Sequence, residues 1–247
     1  MKRSYWLGIV LFAAALGTAA YWLGENEPQP GDAEWKHKGC ERFIPSQADL
    51  VAHAGGGTPE ATYRNDEPAM NLAASHGFEL IELDFMAEGD RLAMRHNGLP
   101  ESSLTIERLM QWLDAHPQVR IVTDVKTDNV EGLTLLKAAA GNRLERFIPQ
   151  IYRPEELEPV TALGYPDPIL TVYRMDRTTT DWVEEANRLP LRAVTMPFAE
   201  REVAKLVDHP VYLHTVNESI EGYGLYTDCL IPAPGGAGEA EPSPGEG

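Results

Sequence analysis

The sequence predicts an α/β protein whose main body is a compact (βα)8 barrel, preceded by one N-terminal hydrophobic helix. Three observations lead there. Short β-rich runs alternate strictly with amphipathic helical patterns, the β-rich runs number eight, and reactive side chains recur at the ends of the first three. Strict alternation implies parallel strands joined by helical crossovers, and eight repeats favour a closed barrel over an open doubly wound sheet.

The candidate strands are DLVAHA, FELIELDF, VRIVTDV, RFIPQIY, PILTVYR, RAVTMPF, PVYLHTV and GYGLYTD. Between them lie EPAMNLAASHG, SLTIERLMQWLDAH, VEGLTLLKAAAG, RPEELEPVTALG, TTDWVEEANRL and AEREVAKLVD, with apolar residues spaced three and four apart. The eighth helix is absent. The barrel domain spans residues 49–232, near the lower size limit for the architecture.

The flanking segments have a different character. Lys2 and Arg3 precede an uncharged apolar run from Tyr5 to Leu23, so residues 1–24 read as an export signal. Two outcomes stay open. Gly17-Thr18-Ala19 offers small residues for cleavage, whereas roughly 19 apolar residues with aromatic pairs at both ends suit a retained anchor. The expected location is the periplasmic face of the inner membrane if the anchor is kept, or outside the cell if it is cleaved. Residues 25–48 are polar and rich in Pro and Gly, as in a linker, and residues 233–247 lack an apolar pattern and are expected to be disordered. Cys40 and Cys229 either pair, since the first and last strands of a closed barrel are neighbours, or remain thiols.

Composition narrows the function classes. With 43% hydrophobic residues the chain can bury a sizeable core. Its formal net charge of -17 argues against a nucleic-acid partner and against broad adhesion to anionic lipid. An anionic substrate must therefore be met locally, by a metal or by a few cations.

In this fold active groups collect where strands end. The first strand ends in His53, followed by Ala54 and Gly55-Gly56-Gly57; the second ends in Glu82-Leu83-Asp84, and the third in Asp124-Val125-Lys126. The i, i+2 spacing directs both members of each pair to one face. Taken singly, each has an ordinary structural explanation. Together, three carboxylates at the ends of apolar strands repel one another, and a divalent cation bound through oxygen relieves that repulsion. The segment EGDRLAMRHNG reads as a turn and an extended return that brings His96 back over the same mouth.

These residues resemble the glycerophosphodiester phosphodiesterase family, and more loosely the phosphatidylinositol-specific phospholipases C that share its barrel. The likeness runs from LVAHAGGG through IELDFMAEGDRLAMRHNG to TDVK, and again through LHTVNES and GLYTDCLIP. It implies a metal-dependent phosphodiester hydrolase. His53 and His96 would be the general acid and base; Glu82, Asp84 and Asp124 would hold Ca2+ or Mg2+. Asn65 and Lys126 match the family's substrate-side positions, and the amides of Gly55 and Gly56 could help to hold phosphate. The family precedent is attack by a neighbouring substrate hydroxyl, giving a cyclic phosphate that water opens.

The sequence also departs from that pattern. Ala54 stands where the family has arginine, Asn97 where it has aspartate, Asp124 where it has glutamate and His214 where it has tryptophan. The subdomain that the family inserts after its second histidine is missing, which implies an open mouth and a bulky phosphodiester substrate such as a lipid headgroup or an envelope polymer. The alternative reading is a catalytically impaired barrel that binds a phosphorylated envelope component. Lys126, Arg95 or the glycine amides are the candidates to replace the lost arginine charge.

Overall fold

The computed structural model describes residues 50–58, 61–175 and 180–230. The expected N-terminal helix, linker and C-terminal tail lie outside the described residues. Among those described, no helix is long and apolar enough to cross a membrane.

Eight parallel strands close into a barrel: β1 (Leu50–Ala52), β2 (Leu80–Glu88), β4 (Arg120–Val125), β5 (Phe147–Ile151), β6 (Ile169–Thr171), β7 (Ala193–Pro197), β8 (Val211–His214) and β9 (Gly224–Thr227). Closure is explicit, because β1 pairs in parallel with both β2 and β9. The ninth strand, β3 (Arg91–Met94), is the extended return foreseen before His96 and folds antiparallel onto the far end of β2. All eight strand runs read from the sequence are present.

Among the described residues, five α-helices cover the outside: α1 (Glu67–Ser75), α2 (Ile106–Ala115), α3 (Asn129–Ala140), α4 (Leu157–Ala162) and α5 (Asp181–Ala186). The first three start on side-chain caps. Asp66 accepts from the Ala69 amide at 3.0 Å, Thr105 from Arg108 at 3.2 Å and Asp128 from Glu131 at 2.9 Å, each satisfying an amide that the first helical turn leaves without a partner.

The segment AEREVAKLVD does not form the expected helix. It makes two 3-10 turns, Phe198–Glu200 and Val203–Leu206. Pro197 and Pro210 bound it closely, and its apolar residues find too little cover to sustain a helical stripe, with Leu206 56% exposed.

Strand alternation sorts residues between two cores. Outward-facing Ile81, Leu83, Ile121, Ile151 and Val194 pack in the layer between sheet and helices. Inward-facing Val51, Val122, Ile148, Ile169, Ala193 and Tyr226 form a separate apolar floor inside the barrel, with Leu80 and Tyr212 against it. Gly224 is required there, since a Cβ at that position would lie 2.4 Å from the Tyr212 ring. Because this plug seals the bottom of the barrel, polar side chains one step further along each strand face the mouth. Cys229, buried just beyond β9, is disulfide-bonded; Cys40 lies outside the described residues.

Candidate active site

The two central strands set the acids. In the β2–β4 register Glu82 lies beside Val122 and Asp84 beside Asp124, so Asp84 and Asp124 sit level at the rim with Glu82 one layer deeper. Oxygens from Glu82, Asp84 and Asp124 lie within 4.8 Å of one another, and all three residues are buried. Burial, followed by the neighbouring Asp84 and Asp124 charges, drives the Glu82 carboxyl well above its usual range. Burial would raise Asp124 as well, but Lys126, the Tyr152 hydroxyl and Arg174 outweigh it and hold that carboxyl down to about 2.

Lys126 has its Nζ 2.9 Å from both Asp84 and Asp124. Its own burial opposes the charge, yet these two carboxylates keep it protonated, well above an ordinary lysine. Asn65 spends its amide on Asp84: Nδ2 donates to Oδ2 at 2.7 Å while Oδ1 accepts the Asp84 amide at 2.8 Å. The sequence-based expectation had Asn65 beside the phosphate. At 1% exposure with both amide atoms engaged, it orients a carboxylate instead.

The loop after β1 is folded around the same acids. Ala54 adopts a left-handed conformation (φ 50°), and this turns its amide onto Glu82 Oε2 at 2.6 Å. Gly55 and Gly56 follow with φ of 84° and 93°. The Gly56 amide is used on the His53 carbonyl at 2.7 Å rather than facing a ligand. A Cβ on Gly56 would come within 2.2 Å of Leu230, and one on Gly57 within 2.5 Å of the Asp228 carbonyl. The glycine run thus lets the loop lie against the end of β9.

That close approach brings Asp228 to His53, with Oδ1 2.9 Å from Nδ1. His96 likewise places Nδ1 3.0 Å from the Asn97 carbonyl. Both partners accept, so these contacts favour the tautomer with the proton on Nδ1 in each ring. The Tyr63 ring joins the two, edge-on to His53 at 4.7 Å and to His96 at 5.0 Å between centroids. Burial, then the nearby Asp228 and Asp84 charges, raises the Tyr63 phenol, so it stays neutral.

The opposite side of the mouth is aromatic. Tyr152 donates its hydroxyl to Asp124 Oδ1. The Arg174 guanidinium stacks 3.6 Å from the centre of the Tyr152 ring, donates to the Val125 carbonyl at 3.1 Å and lies 3.7 Å from Asp124. Arg95, by contrast, is bound to Glu88 at 2.7 Å and does not supply charge to the acids. A cavity of about 30 Å³ at the centre is lined by residues that include His53, Glu82, Asp124, Tyr173, Thr195 and His214. It has room for an ion or a water molecule.

The residues fit a divalent cation. Glu82 Oε1 is buried and accepts no hydrogen bond among the described residues, next to two further carboxylates. An all-oxygen donor set of this kind can hold a metal ion.

Asp228, Tyr63, Tyr152 and Arg174 were not among the residues singled out from sequence. Three had a signal, since Asp228, Tyr152 and Arg174 each stand just past a strand end. Tyr63 had none, because it reaches the histidines from inside a loop.

No protein-family model and no curated protein matches the sequence. Among solved structures, the chain is similar to a phosphodiesterase from Oleispira antarctica in complex with the product sn-glycerol-3-phosphate. The TM-score is 0.54 and the identity 16%, over 74% of this chain and 94% of that one. The two share the barrel fold.

Proposed function

We propose that the chain is a metal-dependent phosphodiester hydrolase acting on a glycerophosphodiester or a larger phosphodiester of lipid or envelope origin. The observation that carries this reading is the convergence of three buried carboxylates with two histidines whose contacts favour the tautomer protonated on Nδ1. The product held by the Oleispira antarctica phosphodiesterase, a protein of the same fold, supports a glycerophosphate-type ester here.

Glu82, Asp84 and Asp124 would hold the cation, which supplies Lewis-acid polarisation of the phosphoryl group and a lowered pKa for an attacking hydroxyl. Asn65 and the Ala54 amide fix two of these carboxylates in place before substrate arrives. One histidine takes the proton of the nucleophile, and the other protonates the departing alcohol. Asp228 holds the His53 ring and stabilises it when it is doubly protonated. Lys126 and Arg174 supply fixed positive charge beside the phosphoryl oxygens, in a site otherwise dominated by carboxylates. The apolar run from Tyr5 to Leu23 supports an exported location, at the periplasmic face of the inner membrane if the run is kept as an anchor or outside the cell if it is cleaved.

Hydrolysis of bis(p-nitrophenyl) phosphate with and without added Ca2+ or Mg2+ tests the reading. We expect metal-dependent release of p-nitrophenol, cut roughly 10²-fold or more by His53→Ala or His96→Ala. Near-normal turnover in both variants would refute the mechanism.

A further inference from the structure

The two histidines are held unequally. His53 stands just past a strand end with Asp228 behind its ring at 2.9 Å, so closure of β9 onto β1 fixes it. His96 stands past the end of β3, in a turn that its own carbonyl closes by accepting the Leu99 amide at 3.2 Å. Among the described residues its ring makes one hydrogen bond, to the Asn97 carbonyl of the same turn, and one ring contact, to Tyr63. The hydrogen bond moves with the turn. Of the two, only the Tyr63 contact joins the His96 ring to the β1 side of the mouth.

The backbone of Tyr63 is left-handed (φ 55°), as is that of Asn65 (φ 49°). Bulky side chains rarely adopt this conformation, and it persists where the surroundings enforce it. Here the surroundings are the same contacts that fix the acids. The Asn65 amide donates to the Ala54 carbonyl at 2.8 Å, and its side chain grips Asp84 through both of its polar atoms. Arg64 donates to Asp66 at 2.7 Å, and Asp66 caps α1 through the Ala69 amide. The chain is thus pinned immediately after Tyr63. Its ring stands edge-on to both imidazoles, with 85° between planes at His53 and 75° at His96. Edge-on packing is a preferred arrangement of aromatic rings and constrains tilt as well as distance.

We propose that Tyr63 is a positioning residue whose ring bridges the two imidazoles and sets the place of His96 relative to His53 and the acids. The assignment rests on the two-histidine hydrolase reading. In that reading one histidine serves the attacking oxygen and the other the departing one, so their spacing must match an in-line phosphoryl transfer. A misplacement of about 1 Å can cost such a reaction roughly 10²-fold. His96, tied only to its turn, is the member that would drift.

The test is kcat and KM for bis(p-nitrophenyl) phosphate with Ca2+ or Mg2+ in the full-length protein, Tyr63→Leu and Tyr63→Phe, read beside 13C relaxation of the His96 imidazole. Leucine removes the ring. We expect kcat to fall roughly 10–10²-fold, KM to stay within about threefold, and the His96 ring to become mobile on the ps–ns timescale. Phenylalanine restores the ring contacts, so it should bring back most of kcat and an ordered imidazole. Normal or faster turnover in Tyr63→Leu would show that the ring merely fills the mouth. A loss confined to KM, or one that phenylalanine does not repair, would give the role to substrate contact or to the hydroxyl. Each of these results overturns the assignment. If Tyr63→Leu does not fold, Tyr63→Asn takes its place, since asparagine tolerates the left-handed backbone. If the unmodified protein turns over no diester, the hydrolase reading itself has failed, and the relaxation measurement decides Tyr63 separately. Loss of His96 order in the variant without the ring supports the positioning role, and unchanged order overturns it.

Discussion

The two halves of the barrel mouth are built from different chemistry. On β2 and β4 or just past the ends of β1 and β4 stand the ionisable groups His53, Glu82, Asp84, Asp124 and Lys126. Past β5, β6 and β9 stand groups that position and tune them: Tyr152, Tyr173, Arg174 and Asp228. The contrast shows why three carboxylates can share one small volume. Tyr152, Arg174 and Lys126 compensate Asp124, whereas the deeper Glu82 carboxyl is pushed up by burial first and by the neighbouring Asp84 and Asp124 charges second.

If the second half positions the first, breaking its contacts should change kinetics without removing a reacting group. The largest effect is expected for Asp228→Asn, which can present an amide nitrogen to His53 and favour the wrong tautomer. We expect kcat to fall roughly 10–10²-fold, as for other residues that orient a functional group from behind, with metal affinity by calorimetry unchanged. A kcat within twofold of normal would mean that His53 needs no such partner.

Arg174→Met comes next. Loss of a charged contact to phosphate should raise KM about tenfold with a smaller change in kcat. If kcat alone falls, Arg174 acts through Asp124 and not on the substrate.

Glu82→Gln addresses stability. A carboxyl whose folded pKa is raised keeps a proton that the unfolded chain releases above about pH 4.3. Folding therefore becomes less favourable as pH rises above that value towards the folded pKa, and the stability returns as pH falls back. In metal-free protein the neutral glutamine removes this penalty, so the Tm of the variant at pH 7–8 should exceed that of the parent by roughly 2–4 °C per kcal/mol relieved. Below about pH 4 the two melting temperatures should converge. A lower Tm for the variant at pH 8 would show that Glu82 is ionised at little cost.

The smallest effect is expected for Arg95→Ala. Its partner is Glu88, away from the acids, so turnover should be unchanged and stability should move by under about 1 kcal/mol in denaturant titration. A raised KM would return Arg95 to the list of phosphate ligands.

The sequence by itself determined the barrel, its eight strands and the convergence of Glu82, Asp84 and Asp124. Strand periodicity fixes which side chains share a face, and apolar runs fix which segments are buried; both are local properties. Tertiary structure decided the rest. That Asn65 clamps Asp84, that Asp228 meets His53 across 175 positions of chain and that Arg174 leans over Asp124 all depend on closure of β9 onto β1 and on loop conformations that no residue spacing encodes. The glycine run illustrates the division. In the sequence Gly55-Gly56-Gly57 suggested amides free for an anion. In the fold Gly56 and Gly57 leave no room for a Cβ, because the β1 loop must lie flat on the end of β9 for His53 to reach its aspartate.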